Sequence, residues 1–200
     1  MACNLASAEQ VVEEVEAVID STPILTSDVT LAEVVGLLPR DPGESEAGYR
    51  SRLLGTRIRL EVQYRDLEES GTLYRLAVDT EAVRTRWVAA SGGRDAVVGR
   101  LSPHGLTLAD LDQLALRVAA ATAYTDQRLR PRINIGLDEI EAAYQELVVR
   151  PLEANHEPVP PLAEVKDQVH HLLVERKLNA EIEAWLAEAE DRHEVTRFVP

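Results

Sequence analysis

The sequence predicts a mainly α-helical fold, a multi-helix orthogonal bundle with a small sheet formed by an N-terminal hairpin and a C-terminal strand. Three observations predict it. The 200 residues include one Phe, two Trp and one Met, so the core must be built from Leu, Val, Ile and Ala. From about residue 26 to residue 190, apolar residues recur at three- and four-residue spacing between capping residues and Gly or Pro stops. At both ends the pattern changes to strand composition.

Val15, Ala17 and Ile19 alternate with Glu14, Glu16 and Val18, the period-two pattern of a half-buried strand. Asp20, Ser21, Thr22 and Pro23 supply a turn, and Ile24-Leu25 begins the return strand. Glu194 to Val199 again has strand composition, and we expect it to pair with the hairpin in a three-stranded sheet. A hairpin alone is marginal, so a third strand is what makes the arrangement stable.

Between the ends, Thr26 or Ser27 caps a helix reaching about Leu38, which Pro39, Pro42 and Gly43 stop. A helix over about 44–69 puts Leu53, Leu60, Tyr64 and Leu67 on one stripe, with Gly71 as its stop. Asp79 caps the next, which carries Val83 and Trp87 and ends at Gly92-Gly93; a short helix follows over about 95–101. Thr107 opens a long helix to about Arg130, with Leu108, Leu111, Leu114, Ala115 and Val118 on its apolar face. A further helix over 138–150 carries Ile140, Tyr144 and Leu147. Four prolines interrupt the chain over 151–161, and a last helix over 162–190 buries Val165, Val169, Leu172, Leu178, Ile182, Trp185 and Ala189. We expect 1–10 to be a flexible N-terminus and 11–199 to form one core.

Thirty-five acidic against twenty-one basic residues give a formal charge of −14. Such a field repels phosphate backbones, so no nucleic-acid partner is predicted, and the acidic surface accounts for solubility. No stretch approaches the length and apolarity of a transmembrane helix. Cys3, the single cysteine, excludes an intramolecular disulfide. The start Met1-Ala2-Cys3-Asn4 lacks a basic n-region and an apolar h-region, which fits either a cytoplasmic location or an export signal already removed.

Catalytic and metal chemistry find little to stand on. His170 and His171 are helix neighbours about a hundred degrees apart, and His104, His156 and His193 lie near element ends with no carboxylate or second His at ligand spacing. There is no Gly-x-Ser-x-Gly elbow, and Gly92-Gly93-Arg94-Asp95 lacks the Lys of a phosphate loop. Acidic pairs such as Asp110 and Asp112 sit two apart and face different sides of a helix. We therefore expect no enzyme activity, no metal and no cofactor.

The order of elements carries a resemblance. Ile24-Leu25-Thr26-Ser27-Asp28-Val29 after a short strand, Leu76 to Val83, Leu106-Thr107-Leu108-Ala109-Asp110-Leu111, Tyr124 and Arg128 ahead of an Arg-Pro-Arg-Ile step, and Val165 to Leu186 together resemble the chaperone core of SurA-type periplasmic proteins. The likeness runs from about residue 11 to residue 199. Members usually insert parvulin isomerase domains before the closing helix, at the position held here by 151–161, and eleven residues cannot hold one.

The resemblance implies a non-enzymatic holdase that binds unfolded or nascent exported and outer-membrane polypeptides in an apolar groove. The alternative is a structural or adaptor module for one defined protein partner. As client-binding residues we single out Trp87, Leu101, Leu111 and Tyr124, large apolar groups near helix ends and breaks. The implied location is the periplasm or another exported compartment, with lipid anchoring through Cys3 as an option because lipoprotein sites place Cys after small residues. One Phe and one Met leave few of the adaptable side chains that promiscuous surfaces favour.

Overall fold

The computed structural model describes residues 13–198. The expected flexible N-terminus, Cys3 and Val199 lie outside the described residues. The fold is mainly α-helical with one small antiparallel sheet. Strands β1 (Val15–Ile19), β2 (Thr22–Leu25) and β3 (Val195–Arg197) run in the order β2-β1-β3. Ala17, Val18 and Ile19 face Arg197, Thr196 and Val195, so the strand after the last helix does pair with the hairpin as expected.

The alternation predicted for β1 breaks at its start. Val15 is exposed and Glu16 is buried, because the register against β2 shifts between Val15 and Ala17. Such a bulge turns one residue to the other face. The buried Glu16 carboxylate is paired with Arg50.

The chain packs as two compact units, one containing the chain up to Ala121 and again from Ala189, the other spanning Thr122–Glu188. The first holds α1 (Thr26–Val34), α2 (Glu46–Glu69), α3 (Thr80–Ala90), α4 (Arg94–Leu101) and most of α5 (Leu108–Tyr124). Its main core joins Leu31, Val83, Trp87, Val97, Leu101 and Leu111, drawn from α1, α3, α4 and the start of α5. The second holds α6 (Leu137–Tyr144), α7 (Arg150–Ala154) and most of α8 (Leu162–Glu190), around Ile140, Ala143, Val169 and Leu173.

Several helix ends differ from the sequence expectation. Leu25, not Thr26 or Ser27, occupies the N-cap of α1, and its N–H donates to Asp28 Oδ2 at 2.9 Å. Thr26 and Ser27 N–H groups are taken instead by the Glu14 carbonyl and the Glu13 carboxylate, at 2.9 and 3.0 Å. α1 stops at Val34 rather than Leu38, because Gly36 takes a left-handed φ of 65° that a side chain rarely adopts. α2 begins two residues later than predicted, where Ser45 Oγ accepts from Gly48 N–H at 3.1 Å, and Asp79 caps α3 by accepting from Ala82 N–H at 2.9 Å.

The long helix predicted to reach Arg130 is α-helical only to Tyr124; a π turn, Thr125–Leu129, precedes the Arg130-Pro131 pair. The same arrangement recurs where π turn Gln145–Val149 precedes Arg150-Pro151. Proline has no N–H to donate, and widening the turn just before it lets the chain keep helical direction without that bond. Pro151 therefore does not stop the helix, which runs to Ala154. On α8 the predicted bounds match those observed, yet Leu172 is 45% exposed and Leu173 is buried in its place.

Candidate functional site

The first unit contains a cleft of about 240 Å³ bounded by β2, the first turns of α1, the middle of α2, and α5. Arg57 and Glu61 project into it from α2 one helical turn apart, on the stripe that also buries Leu54, Ile58 and Val62. Both charged residues are 3% exposed. Placing two ions among Leu, Ile and Val side chains is costly unless each finds partners.

Glu61 is well partnered. Arg117 of α5 donates to it from Nε and, at 3.3 Å, from Nη2, and Arg65 Nε lies 3.8 Å away. Arg117 is itself held by the Gln113 carbonyl at 3.0 Å and stands 5.0 Å over the Tyr64 ring. Arg57 is not so provided for. Its Nη2 reaches Asp28 Oδ1 at a long 3.3 Å, while Nε and Nη1 are buried with no hydrogen-bond partner. Burial pushes the Arg57 guanidinium pKa down, with Asp28 opposing and Arg117 adding to the effect. Asp28 has a second duty, since its other oxygen is the one that caps α1.

Around these charges the cleft is floored by Ile24, Leu31, Leu106 and Leu114, and its lip carries Ser27 and Asp110. No His or Cys is among the described residues that line it. Arg57 Nε and Nη1 have almost no accessible surface, so the cleft presents charged side chains of both signs beside the half-buried Leu106.

The four residues singled out from sequence are not brought together here. Trp87, Leu101 and Leu111 share the main core of the first unit, at 6%, 1% and 0% exposure, and face no solvent. Tyr124 belongs to the second unit, where its ring stacks at a tilt on Trp185 with centroids 4.3 Å apart. Large apolar groups beside helix breaks were core because the breaks let α3, α4 and α5 fold onto one another. Arg57, Glu61 and Arg117 are not among the residues singled out from sequence, although a signal exists: an Arg and a Glu four apart inside the run Leu53-Leu54-Gly55-Thr56-Arg57-Ile58-Arg59-Leu60-Glu61-Val62 lie on the apolar stripe.

A second cluster corrects the reading of His193, for which no partner was expected. Buried His193 places Nδ1 2.9 Å from Asp20 Oδ2, and Glu69 completes a trio whose ligand atoms lie within 4.8 Å of one another. Metal spacing alone would admit a cation. However, Asp20 Oδ1 already accepts from Glu194 N–H at 2.9 Å and Oδ2 from Arg65 Nη1 at 3.0 Å. A guanidinium on the oxygen that a cation would need makes the trio a clamp between the hairpin and β3, not a metal centre. The Glu194 amide first, then His193 and Arg65, hold the Asp20 carboxyl below its ordinary pKa against the opposing effect of burial.

No protein-family model matches the chain, and no curated protein matches it.

Proposed function

We propose that this chain is a non-enzymatic polypeptide-binding module, a holdase for unfolded exported or outer-membrane proteins built on the plan of a SurA-type chaperone without its isomerase domain. The observation that carries the reading is the cleft of about 240 Å³ between β2, α1, α2 and α5, whose polar and charged lining beside Leu106 can meet the polar main chain and side chains of an extended segment. The pairing of β3 with β1 supports the family likeness, since a closing helix and strand that complete the core are what the likeness calls for. The exported location goes with that reading.

An adaptor for one defined partner is the second reading, favoured by the charge on the cleft wall. Asp28, Glu61, Asp110, Arg57 and Arg117 line it, and fixed charges discriminate between sequences more sharply than an apolar surface does. One measurement separates the two. An outer-membrane porin diluted from urea should scatter less light as it aggregates when an equimolar amount of this protein is present. Unchanged scattering would end the holdase reading and leave the adaptor.

A further inference from the structure

We propose that a second pocket of the first unit, lined by Arg52, Arg59 and Arg197, binds the phosphate group of a small soluble phosphate ester. The pocket, about 450 Å³, is bounded by α2, β3 and the segment after α1, and Leu38, Gly55 and Thr56 complete its described lining. That volume falls within the ~300–1,000 Å³ range of sites that take small molecules. The proposal goes beyond the polypeptide-binding reading and does not depend on it.

Charge is the first of two observations. The chain carries a formal charge of −14, yet the described lining holds three arginines and no acidic residue. A cleft walled by one sign of charge concentrates ions of the other, and a Debye length of about 8 Å confines the repulsion from the acidic surface elsewhere. The guanidinium groups are open to a ligand: Arg59 and Arg197 are exposed, and the Arg52 side chain is 39% exposed. Arg52 spends Nε and Nη2 on Glu44, Asp41 and the Pro39 carbonyl, which fixes the group and leaves Nη1 without a protein partner among the described residues. Arg197 makes no ion pair among the described residues.

Gly55 is the second observation. Arg52, Gly55, Thr56 and Arg59 follow one another at three- and four-residue spacing and share one face of α2. A glycine inside a helix is destabilising relative to alanine. A Cβ at Gly55 would meet no heavy atom within 4 Å, so no neighbour in the fold requires the gap. The missing side chain keeps the floor between the two arginines open, which suits a ligand seated on both. A phosphate monoester matches this lining better than a carboxylate does. Near neutral pH it carries more than one negative charge, and its three terminal oxygens can accept from three guanidinium groups.

The test titrates the full chain at constant ionic strength with inorganic phosphate and, separately, with acetate, while the Gly55, Thr56 and Arg197 amide signals are followed by NMR. Phosphate should shift them saturably, and acetate should bind at least about threefold more weakly. Arg197→Gln, which leaves the backbone pairing of β3 with Ala17 in place, should weaken phosphate roughly threefold to tenfold. Arg86→Gln, at an exposed position on α3 outside the pocket, should leave phosphate binding unchanged. Gly55→Glu sets a carboxylate between the arginines at a position where glutamate is the better helix former, so it should abolish the shifts without lowering the melting temperature. Phosphatidylcholine vesicles carrying phosphatidic acid should leave the signals unchanged, because an anionic membrane repels the acidic surface. Equal affinity for acetate, equal weakening by Arg86→Gln and Arg197→Gln, or binding retained in Gly55→Glu overturns the proposal. Shifts with vesicles and none with inorganic phosphate overturn the soluble ligand. Porin scattering is read separately: its failure removes the holdase and leaves the phosphate pocket, whereas absent phosphate shifts remove the pocket and leave the holdase.

Discussion

His193 Nδ1 lies 2.9 Å from Asp20 Oδ2 across 173 positions of sequence, and the two residues fasten the end of the chain to its first hairpin. Asp20 sits at a φ of 53°, a conformation most side chains avoid and Asn and Asp tolerate. That geometry aims its carboxylate at His193, Arg65 and the Glu194 amide together. Short strands of three to five residues have few ladder bonds of their own. The side-chain clamp therefore contributes much of what holds β3 in place.

The clamp makes stability depend on acid in a stated direction. The Asp20 carboxyl is held below its ordinary pKa by the Glu194 amide and by His193 and Arg65. Its contribution is present above the unfolded value near 3.8 and is lost as pH falls through the lower folded value. Asp20→Asn keeps a residue suited to the left-handed conformation and removes the charge. Thermal melts should show the variant below wild type at neutral pH and the gap closing in acid. A gap that is the same at every pH would mean that the charge is not what holds β3.

Glu61 is buried and joins α2 to α5 through the half-buried Arg117. Removing it takes a carboxylate away from buried Arg57 as well, at a cost of up to about 3–5 kcal/mol. Glu61→Ala should lower the urea midpoint by a corresponding amount, with Arg57 and Arg117 then repelling each other across the cleft. Glu46, an exposed carboxylate that also pairs with an arginine, Arg40 at 2.9 Å, should be nearly neutral when replaced by Gln. Equal losses at the two sites would contradict the assignment of Glu61 as the buried link.

Most of the fold was legible in the sequence, and the misses have physical causes. Caps and stops such as Asp79 and Gly71 are local, and they placed the end of α2 and the start of α3. The pairing of the terminal strand was also legible, because only strand composition remained at both ends. Tertiary partners were not. The carboxylate that His193 meets is none of its sequence neighbours but Asp20, 173 positions away. Arg57 and Glu61 look like surface charge until α5 brings Arg117 over them. The Arg-Pro pairs read as breaks because proline interrupts a regular α-helix, whereas the chain widens into π turns ahead of them.

Trp87 and Leu111 provide a test that separates core from binding surface. Both lie in one buried cluster. Leu111→Ala should cost about 2–5 kcal/mol and Trp87→Ala about 3–5 kcal/mol in urea titrations. Neither should change porin aggregation per folded molecule at a temperature where the variant stays folded. A loss of suppression from Trp87→Ala with unchanged stability would place that ring on a client surface instead.

The last prediction concerns the face that α8 turns inward. Periodicity counted from Val165 and Val169 selects Leu172, but helical spacing from Val169 reaches either the third or the fourth residue, and α8 uses the fourth. Leu173 then meets Ile140 and Ala143 of α6, while Leu172 is left 45% exposed. The salt links of the second unit hold that rotation: Arg130 pairs with Glu175 at 2.8 Å and Lys177 with Glu139 at 2.7 Å. Leu172→Glu should therefore change stability by no more than about 0.5 kcal/mol, as surface substitutions do. Leu173→Ala should lose about 2–5 kcal/mol. If the order were reversed, α8 would be turned by one residue, and Lys177 could not reach both Glu139 and the Asn134 carbonyl, which it now meets at 2.8 Å.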